Sequence, residues 1–428
     1  MLRFSDSVRV AAALALLSSA RPALAEDPEP TLEELAEKVE VLTEEIRHAR
    51  EEAVLPETDE ELKSWYGMGP AASKVYSKTS GLSIGGYAEY FVQIPTGTDG
   101  SERRGDMLRM VPYLGYKFND KILMNTEIEI EHGSTEANLS GEEGAVSIEF
   151  CYLDFLLSEA ANVRAGNLLM PVGFLNEMHE PPFYWGNARP EIEQRIIPTT
   201  WHELGVGLHG AIASTVSYRG YLVNGLNARG FDDTGIREGR QGGTEPLFED
   251  IAGVFALRIE PGPALSLGGS IYGGQSAQNQ EFSGEEIRGT TILTEGHVEV
   301  RAGGFKGRAL YARTFIDDAD EIAAELGTLV PESQWGNYVE AGYDLATLFD
   351  DPPMSSMFLW SRFEIYDLQM DVPLGFAKDD ALDANSVTIG LDVKPHPNVV
   401  LKLDAVIQDN EADAPVTNPV RLGAGFVF

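Results

Sequence analysis

Cysteine occurs once in these 428 residues, at Cys151. A lone thiol excludes a disulfide framework and a paired-thiol metal site, and Cys151 is expected to serve as a small side chain of the structural wall. Basic residues are the second scarcity. Lysine and arginine total 32 against 68 acids, a formal net charge of -36, which excludes nucleic acid as a partner because phosphate binding needs clustered cations. Long apolar runs are the third. Residues 10–17 form a short one, preceded by Arg3 and Arg9 and followed by Ala23-Leu24-Ala25. That order is the signature of a secretory signal over 1–25, with Glu26 starting the mature chain. No later stretch approaches the ~20 apolar residues that a membrane helix requires.

What the chain does have is alternation. Val420, Leu422, Ala424, Phe426 and Phe428 occupy every second position at the carboxy terminus, with Arg421, Gly423 and Gly425 between them. A strand sends successive side chains to opposite faces, so this pattern describes a wall between an apolar medium and water. From residue 81 onward it recurs in about sixteen segments: 82–94, 107–118, 121–132, 145–157, 162–170, 203–212, 214–226, 251–260, 264–274, 290–301, 305–316, 336–346, 355–366, 386–394, 398–408 and 419–428. Their connections alternate short and long, as an outer-membrane barrel with both termini in the periplasm demands. The fold class is therefore all-β, a transmembrane antiparallel barrel of about sixteen strands. Facing follows from parity. Ile122, Met124, Ile128 and Ile130 meet lipid while Asn125, Glu127, Glu129 and Glu131 point inward; Leu359, Phe363 and Ile365 point out while Trp360, Arg362 and Glu364 point in. Segments 145–157 and 305–316 change phase partway, which predicts a bulge in each.

Ahead of the barrel, Leu32, Leu35, Val39, Leu42, Ile46, Ala49 and Ala53 are spaced alternately by three and four residues. The spacing predicts a short α-helical coiled coil over 26–55 that self-associates in the periplasm. Residues 26–61 hold roughly fifteen acids against three bases, a solvated, repelling surface. Residues 56–80, with Pro56, Gly67, Gly69 and Pro70, read as a linker to the barrel at 81–428.

A barrel of this width is not filled by its wall side chains, and no folded domain precedes it, so any narrowing is expected from a loop. The longest connection, 171–202, carries five prolines and the aromatics Phe174, Phe183, Tyr184, Trp185 and Trp201. Such a segment loses little entropy on ordering and has surface to pack with, so it is expected to fold inward. Its charged residues Glu177, Glu180, Arg189, Glu191, Glu193 and Arg195, with Arg164, Arg219, Arg301, Arg362 and Glu129 from the strands, are the candidate pore-lining groups. Inward cations and acids nearly balance, which suggests weak cation preference or none.

No cofactor, catalytic group or metal site is expected. Gly205-Val206-Gly207-Leu208-His209-Gly210 matches a dinucleotide pattern but lies within a strand, with no helix after it. His179-Glu180 and His202-Glu203 lack the second histidine one turn on, and Asp317 to Glu321 lack the glycine and glutamate of a calcium loop; that acidic stretch reads as solvated, bridged through divalent ions to lipopolysaccharide.

The linker Tyr66-Gly67-Met68-Gly69-Pro70-Ala71-Ala72-Ser73-Lys74-Val75-Tyr76 and the terminal Phe428 are part of a broader likeness. It runs most specifically from Tyr152 through Arg164, Gly166 and Pro171-Val172-Gly173-Phe174 to Pro198-Thr199-Thr200-Trp201. Over nearly the whole mature chain it resembles outer-membrane porins related to the phosphate-selective porin O and P group. The resemblance implies a trimer, an inward third loop, outer-membrane lipid as surroundings and recognition of Phe428 by the barrel-assembly machinery. The interior departs from the phosphate-selective members in having no basic ladder free of acids. Three functions fit: a passive channel for small hydrophilic solutes or ions, an anion-selective channel of the same fold, or a structural protein tethering through its coiled coil.

Overall fold

The period-two pattern is realised as a closed antiparallel transmembrane β-barrel of sixteen strands, here in a computed structural model that describes residues 63–96, 101–282 and 284–428. The signal segment and the heptad region 26–55 lie outside the described residues. In chain order the strands are β1 (Gly81–Pro95), β2 (Arg104–Asn119), β3 (Ile122–Glu131), β4 (Val146–Phe155), β5 (Asn162–Leu169), β6 (His202–Ala213), β7 (Val216–Asn224), β8 (Ile251–Gly262) and β9 (Leu265–Gly274). Then come β10 (Glu281–Phe282), β11 (Glu285–Glu286), β12 (Thr291–Ala302), β13 (Phe305–Ile316), β14 (Ser333–Asp344), β15 (Ser356–Asp371), β16 (Asp383–His396), β17 (Val399–Asn410) and β18 (Pro419–Val427). β10 and β11 form a separate small hairpin in a loop, and β9 pairs with β12 across it. The barrel closes where β1 meets β18, from Tyr87 opposite Val427 to Pro95 opposite Pro419. Phe428 completes the seam, exchanging backbone hydrogen bonds with Gly86.

Every strand expected from parity is present. The outer surface carries Leu359, Phe363, Leu401, Leu403, Ile407 and Leu422, all exposed, while Trp360, Arg362, Glu364, Lys402 and Asp404 are buried inside. The alternation is enforced physically, since a charge on the lipid face costs about 2–4 kcal/mol at mid-membrane. Cys151 lies on the outer wall beside Thr126, a small wall side chain as expected.

One of the two expected bulges forms. The β3–β4 register shifts between Glu127 and Ile128, so that Glu149 and its neighbour Phe150 both point inward. β13 has no bulge: its pairing with β12 and β14 is continuous. The apparent phase change arises because Leu310 and Ile316 face the interior, and there the interior is packed side chains rather than water.

The acidic stretch after β13 is a second correction. It opens the helix α3, Ala319–Leu326, whose Ala319, Ile322 and Ala323 are buried, so only part of it is solvated. Two shorter helices, α1 (Lys74–Ser77) and α2 (Ile192–Arg195), lie in the inserts described next.

Candidate pore constriction

Among the described residues, two segments fill the interior beside the wall strands. The first is residues 63–80, the stretch expected as a linker. Met68, Ala71, Ala72, Val75 and Tyr76 are buried, because this segment turns through α1 against the inner faces of β1, β2 and β3. Asn125 donates to the Ala72 carbonyl at 2.8 Å, and Lys117 to that of Tyr76 at 3.1 Å. Arg164, paired with Asp154 at 2.9 Å, donates to the Tyr76 hydroxyl at 2.9 Å. The expectation that only a loop obstructs the barrel is thus corrected: a short segment without a fold of its own fills space by borrowing partners from the wall.

The second is the connection 171–202, which lies against the inner wall. Its tightest stretch, 184–188, is strapped to the opposite strands. Asp404 accepts from the Asn187 backbone N–H at 2.7 Å, Lys402 donates to the Gly186 carbonyl at 2.7 Å, and Arg362 donates to that of Trp185 at 2.8 Å. Trp185 stacks on Trp360, with ring centroids 6.0 Å apart. Close approach needs a bare wall: a Cβ on Gly423 would collide with Asn187, and one on Gly425 with Pro181. Glu193 is fully buried and folds the loop on itself, accepting from the backbone N–H groups of Phe174 and Leu175 at 3.0 and 2.7 Å and from the Tyr338 hydroxyl at 2.6 Å.

The two inserts touch. Glu180 accepts from the backbone N–H groups of Ala71 and Ala72 at 2.9 and 3.2 Å, and Glu177 pairs with Arg219 at 3.1 Å beneath them. Burial pushes the Glu180 carboxyl up to about 7, against the pull of those two N–H groups and the nearby Lys74 charge.

Wall charges are neutralised by register. Glu299, Arg308, Glu340 and Arg362 stand directly opposite one another on β12, β13, β14 and β15, a ladder of alternating sign. Arg362 meets Glu340 at 3.0 Å. Glu129 is buried against Arg109 at 3.4 Å, and Arg301, at the short-turn rim, is exposed beside Glu299.

The candidate residues therefore separate. Arg189, Glu191, Arg195 and Arg362 come together around a cavity of about 410 Å³, bounded by loop 171–202, β15 to β18 and the β17–β18 loop. Arg164, Glu177, Glu180, Glu193, Arg219 and Glu129 are held in buried pairs or hydrogen bonds elsewhere. Arg189 donates to Thr199 at 3.2 Å and keeps two further buried nitrogens without a hydrogen-bond partner. Arg195 and Glu191 pair at 2.7 Å. Beneath the strap, toward the short-turn end, a cavity of about 50 Å³ lies among Phe183, Trp185, Lys306, Arg308, Asp392 and Lys394. The segment 184–188 separates the two.

Sequence reasoning missed Asn187, Lys402 and Asp404 as the strap, and with them Asp392, which accepts from the Gly186 backbone N–H at 3.3 Å. It also missed Arg237 and Arg240, which reach from the next long loop to carbonyls of Gln194, Thr199, Pro198 and Thr200 and hold the end of loop 171–202 in place. No local pattern marks them.

This arrangement, a sixteen-stranded wall with an inward loop after the fifth strand, is the porin fold, and solved structures agree. OmpT of Vibrio cholerae in its trimer form superposes with a TM-score of 0.51 at 10% identity, over 82% of this chain and 100% of that one. The outer membrane channel DcaP of Acinetobacter baumannii gives 0.53 at 11%, over 82% and 98%. An anion-selective porin from Comamonas acidovorans gives 0.50 at 13%, over 82% and 100%. No family model matches the chain. By sequence it belongs to the same family as an uncharacterized protein of Aquifex aeolicus (strain VF5), 35% identical over 378 residues that span 85% of this chain and 83% of the relative.

Proposed function

We propose that the protein is a passive channel of the outer membrane, carrying small hydrophilic solutes or ions down their gradients. The observation that carries this reading is the charged cavity between loop 171–202 and β15 to β18, which reaches from the long-loop end to the strap at 184–188. A narrow, polar passage of low dielectric sorts solutes by size and charge without chemistry, and no catalytic role is assigned to any residue. The long loops face outward and the short turns the periplasm. The barrel assembles as a trimer, in keeping with the trimer form of OmpT, with lipid and lipopolysaccharide around it and Phe428 as the handle for the assembly machinery. Single-channel recording on purified protein in planar bilayers tests the reading: discrete steps in current support it. A silent protein would leave the coiled-coil tether as the better description.

A second reading, weak anion preference, is favoured by the lining itself. Arg189, Arg195, Arg362 and Arg421 outnumber Glu191, Glu364 and Asp404 there, whereas the whole chain is acidic. The sign of the reversal potential in a salt gradient separates the two, and phosphate need not be preferred over chloride.

A further inference from the structure

His179 lies in loop 171–202 and is buried. Its Nδ1 is 3.1 Å from the carbonyl oxygen of Asn176, which only accepts, so Nδ1 carries the proton and Nε2 presents a lone pair. That nitrogen faces Glu127 Oε1 at 3.1 Å and Glu149 Oε2 at 3.4 Å. Three acceptors thus aim at one point inside the protein. Glu127 Oε2 and Glu149 Oε2 are buried with no hydrogen-bond partner.

The surrounding charges do not close the gap. Arg109 is already engaged with Glu89 at 2.9 Å and Glu129 at 3.4 Å, and Arg189 donates to the Thr199 hydroxyl at 3.2 Å. Among the described residues, Glu127 and Glu149 therefore have no guanidinium or ammonium group within ion-pair distance, in a site closed to water. An unpaired buried carboxylate is costly enough that a cation or protons must share the site.

We propose that Glu127, Glu149 and His179 form a binding site for a divalent transition-metal ion of the zinc class, stapling loop 171–202 to the barrel wall. Ligand atoms about 2.0–2.2 Å from zinc lie roughly 3–3.5 Å from one another; the distances to Nε2 match, and all three donor atoms fall within 4.8 Å. One imidazole with two carboxylates suits zinc or its neighbours better than calcium or magnesium, which take oxygen. The outer partners are those a metal ligand needs: the Asn176 carbonyl fixes the tautomer of His179, and the Thr200 hydroxyl holds Glu149 Oε1. The ligands come from β3, from the bulge in β4 and from the loop. A search for two histidines one helical turn apart therefore passes over them.

The test uses untagged, full-length protein, stripped with chelator and dialysed against zinc with excess calcium to occupy exposed acids. Metal analysis should give about one zinc per chain, and X-ray absorption at the zinc edge should show one imidazole and otherwise oxygen. His179→Gln and Glu149→Gln should each weaken binding by more than about tenfold. The proposal is overturned if stripped wild-type protein takes up no zinc, which would assign protons to the carboxyl groups. It is equally overturned if the bound zinc sees no imidazole, or if folded variants hold zinc as tightly as wild type. The wild-type results stand even where a variant fails to fold.

Discussion

The two sides of the barrel interior are built from the same kinds of inward charge and use them differently. Beneath β2 to β7, Arg164, Asp154, Arg219 and Glu177 are closed into buried pairs under the segment 63–80. Along β15 to β18, Arg195, Arg421, Glu364 and Asp404 border a cavity of about 410 Å³. An inward charge is therefore not by itself a pore-lining charge. What decides is whether an insert supplies a fixed partner that excludes water, and on one side the amino-terminal segment does so.

Substitutions that cross this divide should have unequal effects. Arg164→Ala removes the guanidinium that neutralises Asp154 in the filled half, leaving that carboxylate only the Tyr76 hydroxyl and His209, and should cost about 3–5 kcal/mol in detergent unfolding experiments. Trp185→Ala should join the cavities above and below the strap and raise single-channel conductance by about twofold or more; an unchanged current would move the narrowing elsewhere. Gly425→Val drives a side chain into Pro181. Overpacking of this sort should cost about 1–3 kcal/mol and make the current noisier as the loop loosens.

A smaller effect lies where the inserts meet. The Glu180 carboxyl is pushed up to about 7, while the unfolded chain titrates near the ordinary glutamate value, so the folded state holds the extra proton between the two. The contribution of Glu180 to stability is present below the ordinary value and lost as pH rises through about 7. Glu180→Gln should hold its stability better than wild type as pH is raised from about 5 to about 8; parallel curves would contradict the burial. Smallest of all, Arg195→Ala breaks a partly exposed pair with Glu191 and should change stability by under ~1 kcal/mol while shifting the reversal potential.

Much of the wall was legible because a strand with one face in lipid leaves a signal at every second residue, as in β3 and β15. The bulge at Glu149 was legible for the same reason. β13 misled because Leu310 and Ile316 are apolar toward the interior, which parity assumes to be wet. Loop 171–202 announced itself through proline and aromatic content. The role of residues 63–80 was not legible: they have no period, and their partners Asn125, Arg164 and Glu180 lie 53 to 109 residues away in the chain. Cross-strand pairs such as Glu340 with Arg362 need the register, which no single strand records.

The most direct measurement places a cysteine at Gln408, on the open side of the interior, in a Cys151→Ser background, and adds a bulky charged thiol reagent during single-channel recording. The current should fall in steps as chains are labelled, and the same reagent on a cysteine at Glu131, above the filled side, should lower it far less. Equal block at both positions, or none at Gln408, would contradict a conduction path confined to the side of β15 to β18.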